Sequence, residues 1–203
     1  MKVSRIAVLP LIFVIAVAVF ADNNKKVEEK LARADIEFRR GNFPGAEKLI
    51  RDAIKKDPNS IDAHNMLATL LSGTGRYSQA AAEYSQVLEL DATQKKLSKN
   101  NKRRAIDGQA VAYAESGDLD RAKSIYLAAL KDDPDYAMYN YNLACVYAEL
   151  HDLDSAIPYL KKSWAQRDTL PSDIKYPDPR KDSSFRAYLN DPRFQDAVRY
   201  MVQ

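Results

Sequence analysis

The sequence has few of the residues from which enzymes and metal sites are usually built. It contains one cysteine and two histidines among 203 residues. It has no Gly-rich phosphate loop, no helical His pair with an intervening Glu, and no Gly-framed Ser nucleophile. His64 and His151 are too far apart in the chain to suggest a shared metal site, and we interpret both as structural. We therefore expect no catalytic residues, no metal and no cofactor.

The single cysteine, Cys145, excludes an internal disulfide. It lies within the apolar stretch Leu-Ala-Cys-Val-Tyr over residues 143–147. A small packed thiol is the more common outcome in such a stretch than a reactive one. Stability must therefore come from a packed core.

A large charge excess is also absent. The 31 basic and 28 acidic residues give a net charge of +3, and two of the basic residues are Lys2 and Arg5. Without residues 1–21 the basic residues fall from 31 to 29 against the same 28 acids. A nearly neutral chain gives no support for nucleic-acid binding, so we expect no nucleic-acid partner.

The longest apolar run of the sequence lies at the N-terminus. Two basic residues precede an apolar run over residues 6–20, which is shorter than the roughly 20 residues needed to span a bilayer. Residues 19–21, Val-Phe-Ala, form an acceptable cleavage site. This pattern is typical of a signal peptide over residues 1–21, and it predicts an exported protein, periplasmic or secreted. The alternative is an uncleaved membrane anchor formed by residues 6–21.

What the sequence does contain is an internal repeat. Four segments share a small residue, a turn residue, a large apolar residue and a second small residue. Successive copies are 34 residues apart, except that eight extra residues separate the second copy from the third. The copies are Ala34, Gly41, Phe43 and Ala46; Ala68, Gly75, Tyr77 and Ala80; Ala110, Gly117, Leu119 and Ala122; and Ala144, His151, Leu153 and Ala156. Small residues let two helices approach closely, and Gly favours the left-handed turn between them, so the repeat predicts helical hairpins.

A 34-residue period made of two short amphipathic helices resembles the tetratricopeptide repeat family closely. The resemblance implies an all-α fold, a right-handed α-solenoid of four helical hairpins with a C-terminal capping segment. We predict hairpins 1 and 2 over residues 27–94, a basic insert over 95–102, hairpins 3 and 4 over 103–167, and a loop plus capping helices over 168–203. The last segment resembles the end-of-group module of many bacterial arrays, in which Phe185 and Phe194 would be buried.

The first helices of such hairpins line a concave surface, where this family usually holds a peptide or a partner helix. Register along the repeat gives ten candidate partner-binding residues: Asp35, Phe38, Asn65, Thr69, Arg104, Asp107, Val111, Tyr141, Asn142 and Cys145. In this prediction Asn65 and Asn142 bond an extended backbone and Tyr141 is an anchor. The alternative is an inner face that is merely solvated. The carboxylate clamp of chaperone-binding members is not expected, because only Arg104 matches its pattern.

Residues 95–104 carry six cations and no acid. These cations are Lys95, Lys96, Lys99, Lys102, Arg103 and Arg104. Such a segment could contact anionic lipid, a cell-wall polymer or an acidic partner, or it could be a solvated helix extension. No aromatic residues interleave with the cations, which disfavours single-stranded nucleic acid.

Taken together, the sequence predicts a non-enzymatic scaffold or assembly adaptor in the bacterial cell envelope, with a protein or peptide partner in its concave groove. One alternative is a membrane-anchored structural subunit of an envelope complex, with the uncleaved N-terminus or the basic segment at the membrane. Another is an accessory subunit of an envelope enzyme.

Overall fold

The computed structural model describes the backbone of residues 9–201 and the side chains of residues 23–201. Part of the predicted signal peptide, residues 1–8, lies outside this description, as do the last two residues of the chain. The described part is all-α. In chain order its helices are α1 (Leu9–Arg39), α2 (Phe43–Lys56), α3 (Ile61–Gly73), α4 (Tyr77–Gln94), α5 (Lys99–Glu115), α6 (Leu119–Asp132), α7 (Ala137–Glu149), α8 (Leu153–Ala165) and α9 (Pro192–Val198), with short 3-10 helices at Arg167–Thr169 and Ser183–Tyr188.

Helices α1 to α8 form four hairpins, and each helix packs mainly on its neighbours in the chain. The repeated small residues lie where the helices meet. All eight have no exposed surface: Ala34, Ala46, Ala68, Ala80, Ala110, Ala122, Ala144 and Ala156. A methyl group at these positions lets the facing helix approach closely, so larger apolar side chains interdigitate around the contact.

The turns inside the hairpins need a left-handed residue. Gly41, Gly75 and Gly117 have φ values of 78°, 74° and 89°, and His151 takes the same conformation at 62°. Glycine adopts this region without steric cost, whereas a residue with a Cβ is strained there. The helices that follow three of these turns begin with a polar residue that accepts a hydrogen bond from a backbone N–H three residues on; these caps are Asn42, Asp118 and Asp152.

Residues 95–102 form the link between the second and third hairpins. Lys95 ends α4 in the left-handed conformation, and Ser98 caps α5 by accepting from the N–H of Asn101. The loop is held from two sides, because Asp91 accepts from the N–H of Leu97 at 2.8 Å and the Leu97 side chain packs on the core of the first two hairpins.

The C-terminal segment folds back on the last hairpin. The 3-10 helix Ser183–Tyr188 lies against α7, and α9 lies against α8. Phe185 and Phe194 are 0% and 1% exposed, and their rings stack with centroids 5.2 Å apart. The segment therefore covers apolar surface that the final hairpin would otherwise expose.

Helix α1 is continuous from Leu9 to Arg39, so residues 9–20 of the apolar N-terminal run belong to the same helix as the first helix of the first hairpin. Across the described residues, none of the helices combines the length and the apolar character required to cross a bilayer.

Candidate functional site

The inner face of the solenoid is built by the first helix of each hairpin. Helix α1 contacts α3, α3 contacts α5, and α5 contacts α7, so these four helices form one continuous surface. The C-terminal segment covers the part of this surface that lies on α7. We call the part of the face on α1 and α3 the open half and the part on α7 the covered half. Helix α5 lies between them.

The open half contains a groove of about 550 Å³ between α1 and α3. Nine residues line it: Glu28, Leu31, Ala32, Asp35, Phe38, Asp62, Asn65, Met66 and Thr69. Four of the ten predicted site residues, Asp35, Phe38, Asn65 and Thr69, thus lie together in one place. Ligand-binding clefts of proteins commonly have volumes of about 300–1,000 Å³, so this groove is large enough to bind a ligand.

The groove combines apolar and polar groups that face solvent. The Phe38 ring is 36% exposed and is held edge-on against Phe43 at 5.4 Å. Asn65 and Thr69 are exposed one turn apart on α3, and the Thr69 hydroxyl is bonded to the Asn65 carbonyl at 2.9 Å. An exposed aromatic ring beside amide and hydroxyl groups is the composition expected of a peptide-binding surface.

The covered half corrects the prediction for Tyr141. Tyr141 is 2% exposed, and its ring meets Tyr176 at 5.6 Å. Its hydroxyl donates a hydrogen bond of 2.9 Å to Asp182. Tyr141 is therefore an anchor for the chain's own C-terminal segment, and it is not available to a partner.

Two further predicted residues, Asp107 and Asn142, are hydrogen-bonded to each other within the protein. The carboxylate of Asp107 accepts hydrogen bonds from the Tyr126 hydroxyl at 2.9 Å and from the Asn142 amide at 2.5 Å. Burial raises the pKa of Asp107, and the hydrogen bonds from Tyr126 and Asn142 oppose that rise. The Asn142 amide is thus committed to α5 and is not free for a peptide backbone.

Cys145 lies beneath the same covering segment, with its sulfur 3.8 Å from an oxygen of Asp182. Burial is the largest cause of a raised pKa for this thiol, and the nearby Asp182 charge adds to it. A thiol that resists ionisation is a poor nucleophile. In this structure Cys145 packs beneath the covering segment.

The last two predicted residues, Arg104 and Val111, lie on α5 outside the groove. Val111 is 41% exposed. Arg104 reaches across to Asp173 at 3.2 Å, in a pair whose side chains are both mostly exposed. They remain accessible, but the structure does not gather them with the residues of the groove.

Five residues that line the groove are not in the candidate set predicted from the sequence: Glu28, Leu31, Ala32, Asp62 and Met66. The signal that finds them is the repeat itself, since Glu28 and Asp62 are 34 residues apart, and so are Ala32 and Met66. These two pairs occupy matching positions of the first and second hairpins, and Leu31 matches Asn65 in the same way. Each of the five lies one or two helical turns from a predicted residue.

Three of the six cations in residues 95–104 form salt bridges with acids. Lys99 and Arg103 both bind the carboxylate of Asp133, at 3.1 and 2.6 Å. The Arg103 guanidinium also lies over the Tyr136 ring at 4.0 Å. Arg104 pairs with Asp173. Lys95, Lys96 and Lys102 are exposed and form no salt bridge with any other residue that the structure describes.

Within the described residues, no cluster of His, Cys, Asp and Glu could hold a metal ion. The groups whose pKa values are raised most are buried tyrosines and the Cys145 thiol, and burial is the largest cause for each of them.

Comparison with known proteins agrees with this architecture. A family model described as tetratricopeptide repeat matches residues 31–95 and 108–169, which is more than half of the chain. A crystal structure of MamA protein is similar at 20% identity, 88% coverage of this chain, 89% of that chain and a TM-score of 0.66. MamA from Desulfovibrio magneticus RS-1 is similar at 17% identity, with 71% and 77% coverage and a TM-score of 0.59.

A structure of PilF from Pseudomonas aeruginosa is similar at 23% identity, with 74% and 65% coverage and a TM-score of 0.56. At these identities the likeness concerns the fold alone. No curated protein sequence matches the chain. The predicted fold class, an α-solenoid of four helical hairpins with a C-terminal capping segment, is confirmed.

Proposed function

Because this chain belongs to the tetratricopeptide repeat family, we propose that it is a non-enzymatic scaffold or assembly adaptor of the bacterial cell envelope. Proteins of this family bind protein partners, and a solenoid offers them an extended concave surface. The proposed docking place is the groove between α1 and α3, and the proposed ligand is a peptide or helix of a partner protein.

The observation that supports this proposal is the contrast between the two halves of the inner face. On α7 the chain's own C-terminal segment fills the surface and buries Tyr141 and Phe185. On α1 and α3 the equivalent surface stays open and exposes Phe38 and Asn65. The covered half binds the chain's own C-terminal segment. The open half has the shape and the exposed groups to bind a segment of a partner protein in the same way.

The envelope setting rests on the N-terminal sequence, whose basic residues and apolar run are typical of an export signal. A second candidate, a membrane-anchored structural subunit, is favoured by the continuity of α1 from Leu9 into the first hairpin. Cleavage after Ala21 would divide that helix. Mass spectrometry of the protein from fractionated cells separates the two, because export with cleavage leaves Asp22 as the first residue, whereas an anchor keeps the intact N-terminus.

The groove is tested by photo-crosslinking. A benzoyl-phenylalanine placed at Asn65 should give a discrete adduct with one partner protein, and the same group at exposed Glu89 on α4 is the matched control. Filling the groove with Thr69→Trp should abolish the Asn65 adduct. Equal adducts from Asn65 and Glu89, or an adduct that survives Thr69→Trp, would show that the partner docks elsewhere.

A further inference from the structure

The groove between α1 and α3 is lined by three acids and by no basic residue. Glu28 and Asp62, at matching positions of the first two hairpins, lie exposed at one end of it. Neither forms a salt bridge with any side chain among residues 23–201; Lys96 lines the adjoining pocket that Glu28 and Asp62 also line, but it is not paired with either acid. The third acid, Asp35, pairs with Arg39 at 2.7 Å, and the Arg39 side chain is 77% exposed and lies outside the groove lining.

The floor between these acids is apolar. Leu31 and Ala32 from α1 face Met66 from α3, and Phe38 closes the far end. Glu28 and Phe38 are ten residues apart on one helix, which corresponds to about 15 Å along its axis. Methionine has a flexible side chain that adapts to differently shaped apolar groups. The groove therefore has a charged end, an adaptable apolar middle and an aromatic end.

We propose that this groove selects a cationic amphipathic segment of its partner, with one or two apolar side chains on Leu31 and Met66 and a Lys or Arg over Glu28 and Asp62. This inference rests on the proposed function, because it names the chemistry of the ligand at the same groove. A length of about 15 Å accommodates two to three turns of a helix, whose apolar residues at i and i+4 meet the floor.

Charge complementarity decides between ligand classes. An acidic segment would bring its carboxylates against Glu28 and Asp62, and like charges placed together are unfavourable for docking. Anionic lipid is disfavoured for the same reason. A neutral apolar segment would fill the floor but would leave both acids partly desolvated without a partner, which lowers affinity. In a cationic amphipathic segment, a Lys or Arg pairs with Glu28 and Asp62. The apolar side chains of the same segment cover Leu31 and Met66.

The test uses the full chain and two labelled helical peptides, one composed of leucine and lysine and the other of leucine and glutamate in the same pattern. Fluorescence anisotropy should show binding of the lysine peptide, weakening with added salt, and no binding of the glutamate peptide. The double variant Glu28→Gln with Asp62→Asn should weaken binding of the lysine peptide about tenfold. The control, Glu89→Gln with Asp132→Asn, removes the same charge from exposed positions outside the groove and should leave affinity unchanged.

Groove-filling Thr69→Trp separates failure of this inference from failure of the proposed function. If Thr69→Trp abolishes binding but both peptides bind alike and the acid variants have no effect, the groove docks ligands without charge selection, and only this inference is overturned. If Thr69→Trp leaves peptide binding intact, the groove is not the site and both proposals fall. If peptide binding weakens as protein concentration rises, a second copy of the chain fills the groove, and assignment to a foreign cationic segment is overturned.

Discussion

Tyr141 and Asp182 are 41 residues apart in the chain and are joined by a 2.9 Å hydrogen bond from the tyrosine hydroxyl to the carboxylate. The bond fixes the C-terminal segment on the inner face of α7. Around it the Tyr141 ring packs edge-on against both Tyr176 and Phe185. Together these contacts make the C-terminal segment part of the core of the last hairpin, and this is why the concave face is closed on α7.

Replacing Tyr141 should therefore change stability. Tyr141→Phe keeps the packing and loses the hydrogen bond to Asp182, which should cost about 1 kcal/mol in the free energy of unfolding. Tyr141→Ala removes a buried ring and should cost about 3–5 kcal/mol. Val111→Ala, on the same face but 41% exposed, is the control and should change stability by less than about 0.5 kcal/mol. Urea denaturation measures all three, and a Tyr141→Ala variant of native stability would contradict the covered-face description.

A second prediction concerns Gly108 in the middle of α5. A Cβ at this position would lie 2.5 Å from the ring of Tyr84, which is itself buried. Gly108→Ala gains roughly 1 kcal/mol of helix propensity. It also overpacks the contact between α4 and α5, and because this cost is larger, the free energy of unfolding should fall by roughly 1–2 kcal/mol.

Gly73, at the end of α3, is the matched control. A Cβ there meets nothing within 4 Å, so Gly73→Ala should raise the free energy of unfolding by up to about 1 kcal/mol. Thermal denaturation of the two variants should thus shift in opposite directions. A stabilised Gly108→Ala variant would mean that Tyr84 can move aside at no cost.

The third prediction concerns His151, which takes the turn conformation that glycine supplies in the other three hairpins. Its φ of 62° is unfavourable for a residue with a Cβ. His151→Gly should relieve this strain and stabilise the protein by about 0.5–1 kcal/mol, after allowing for the greater freedom of glycine in the unfolded chain. The reverse change, Gly117→His, should destabilise. Thermal unfolding of both variants is the measurement, and equal melting temperatures for His151→Gly and the native protein would show that this turn is unstrained.

The residues discussed above also show which parts of the fold and of the groove can be predicted from the sequence. The 34-residue period places the alanines and the turn glycines, because those positions depend on local helix geometry that recurs in each hairpin. The same period brings Asp35 and Thr69 into one groove. It does not predict that Tyr141 is covered, because residues 168–182 have no periodicity, and their path is set by contacts such as that between Asp182 and Tyr141.

Gly108 and His64 illustrate the other limit. The sequence shows where both residues lie in the repeat, but it does not show which side chains they contact. The neighbour of Gly108 is a ring on the preceding helix, and the partner of His64 is an acid 19 residues away. Such contacts between helices depend on side-chain packing, which a pattern of residue types does not encode.

The last prediction is a pH dependence centred on His64. This side chain is buried, and both ring nitrogens face acceptors: Nδ1 is 2.6 Å from the Glu83 carboxylate, and Nε2 is 3.0 Å from the Pro58 carbonyl. Only the protonated ring donates to both. The hydrogen bond to Glu83 is the largest cause of a raised pKa for His64, burial opposes it, and the Pro58 carbonyl and the Asp57 charge add to the rise.

Since the folded-state pKa is above the value in the unfolded chain, about 6.5, the stabilisation is complete below that pH and is lost as the pH rises through the raised pKa. Glu83→Gln should remove most of this contribution. The difference in free energy of unfolding between the native protein and Glu83→Gln, measured with urea, should therefore be larger at pH 6 than at pH 9. NMR titration of the His64 ring should give a midpoint above 6.5 in the native protein and a lower one in Glu83→Gln. If the stability difference were the same at both pH values, the contact between His64 and Glu83 would be a neutral packing contact, and the raised pKa would be wrong.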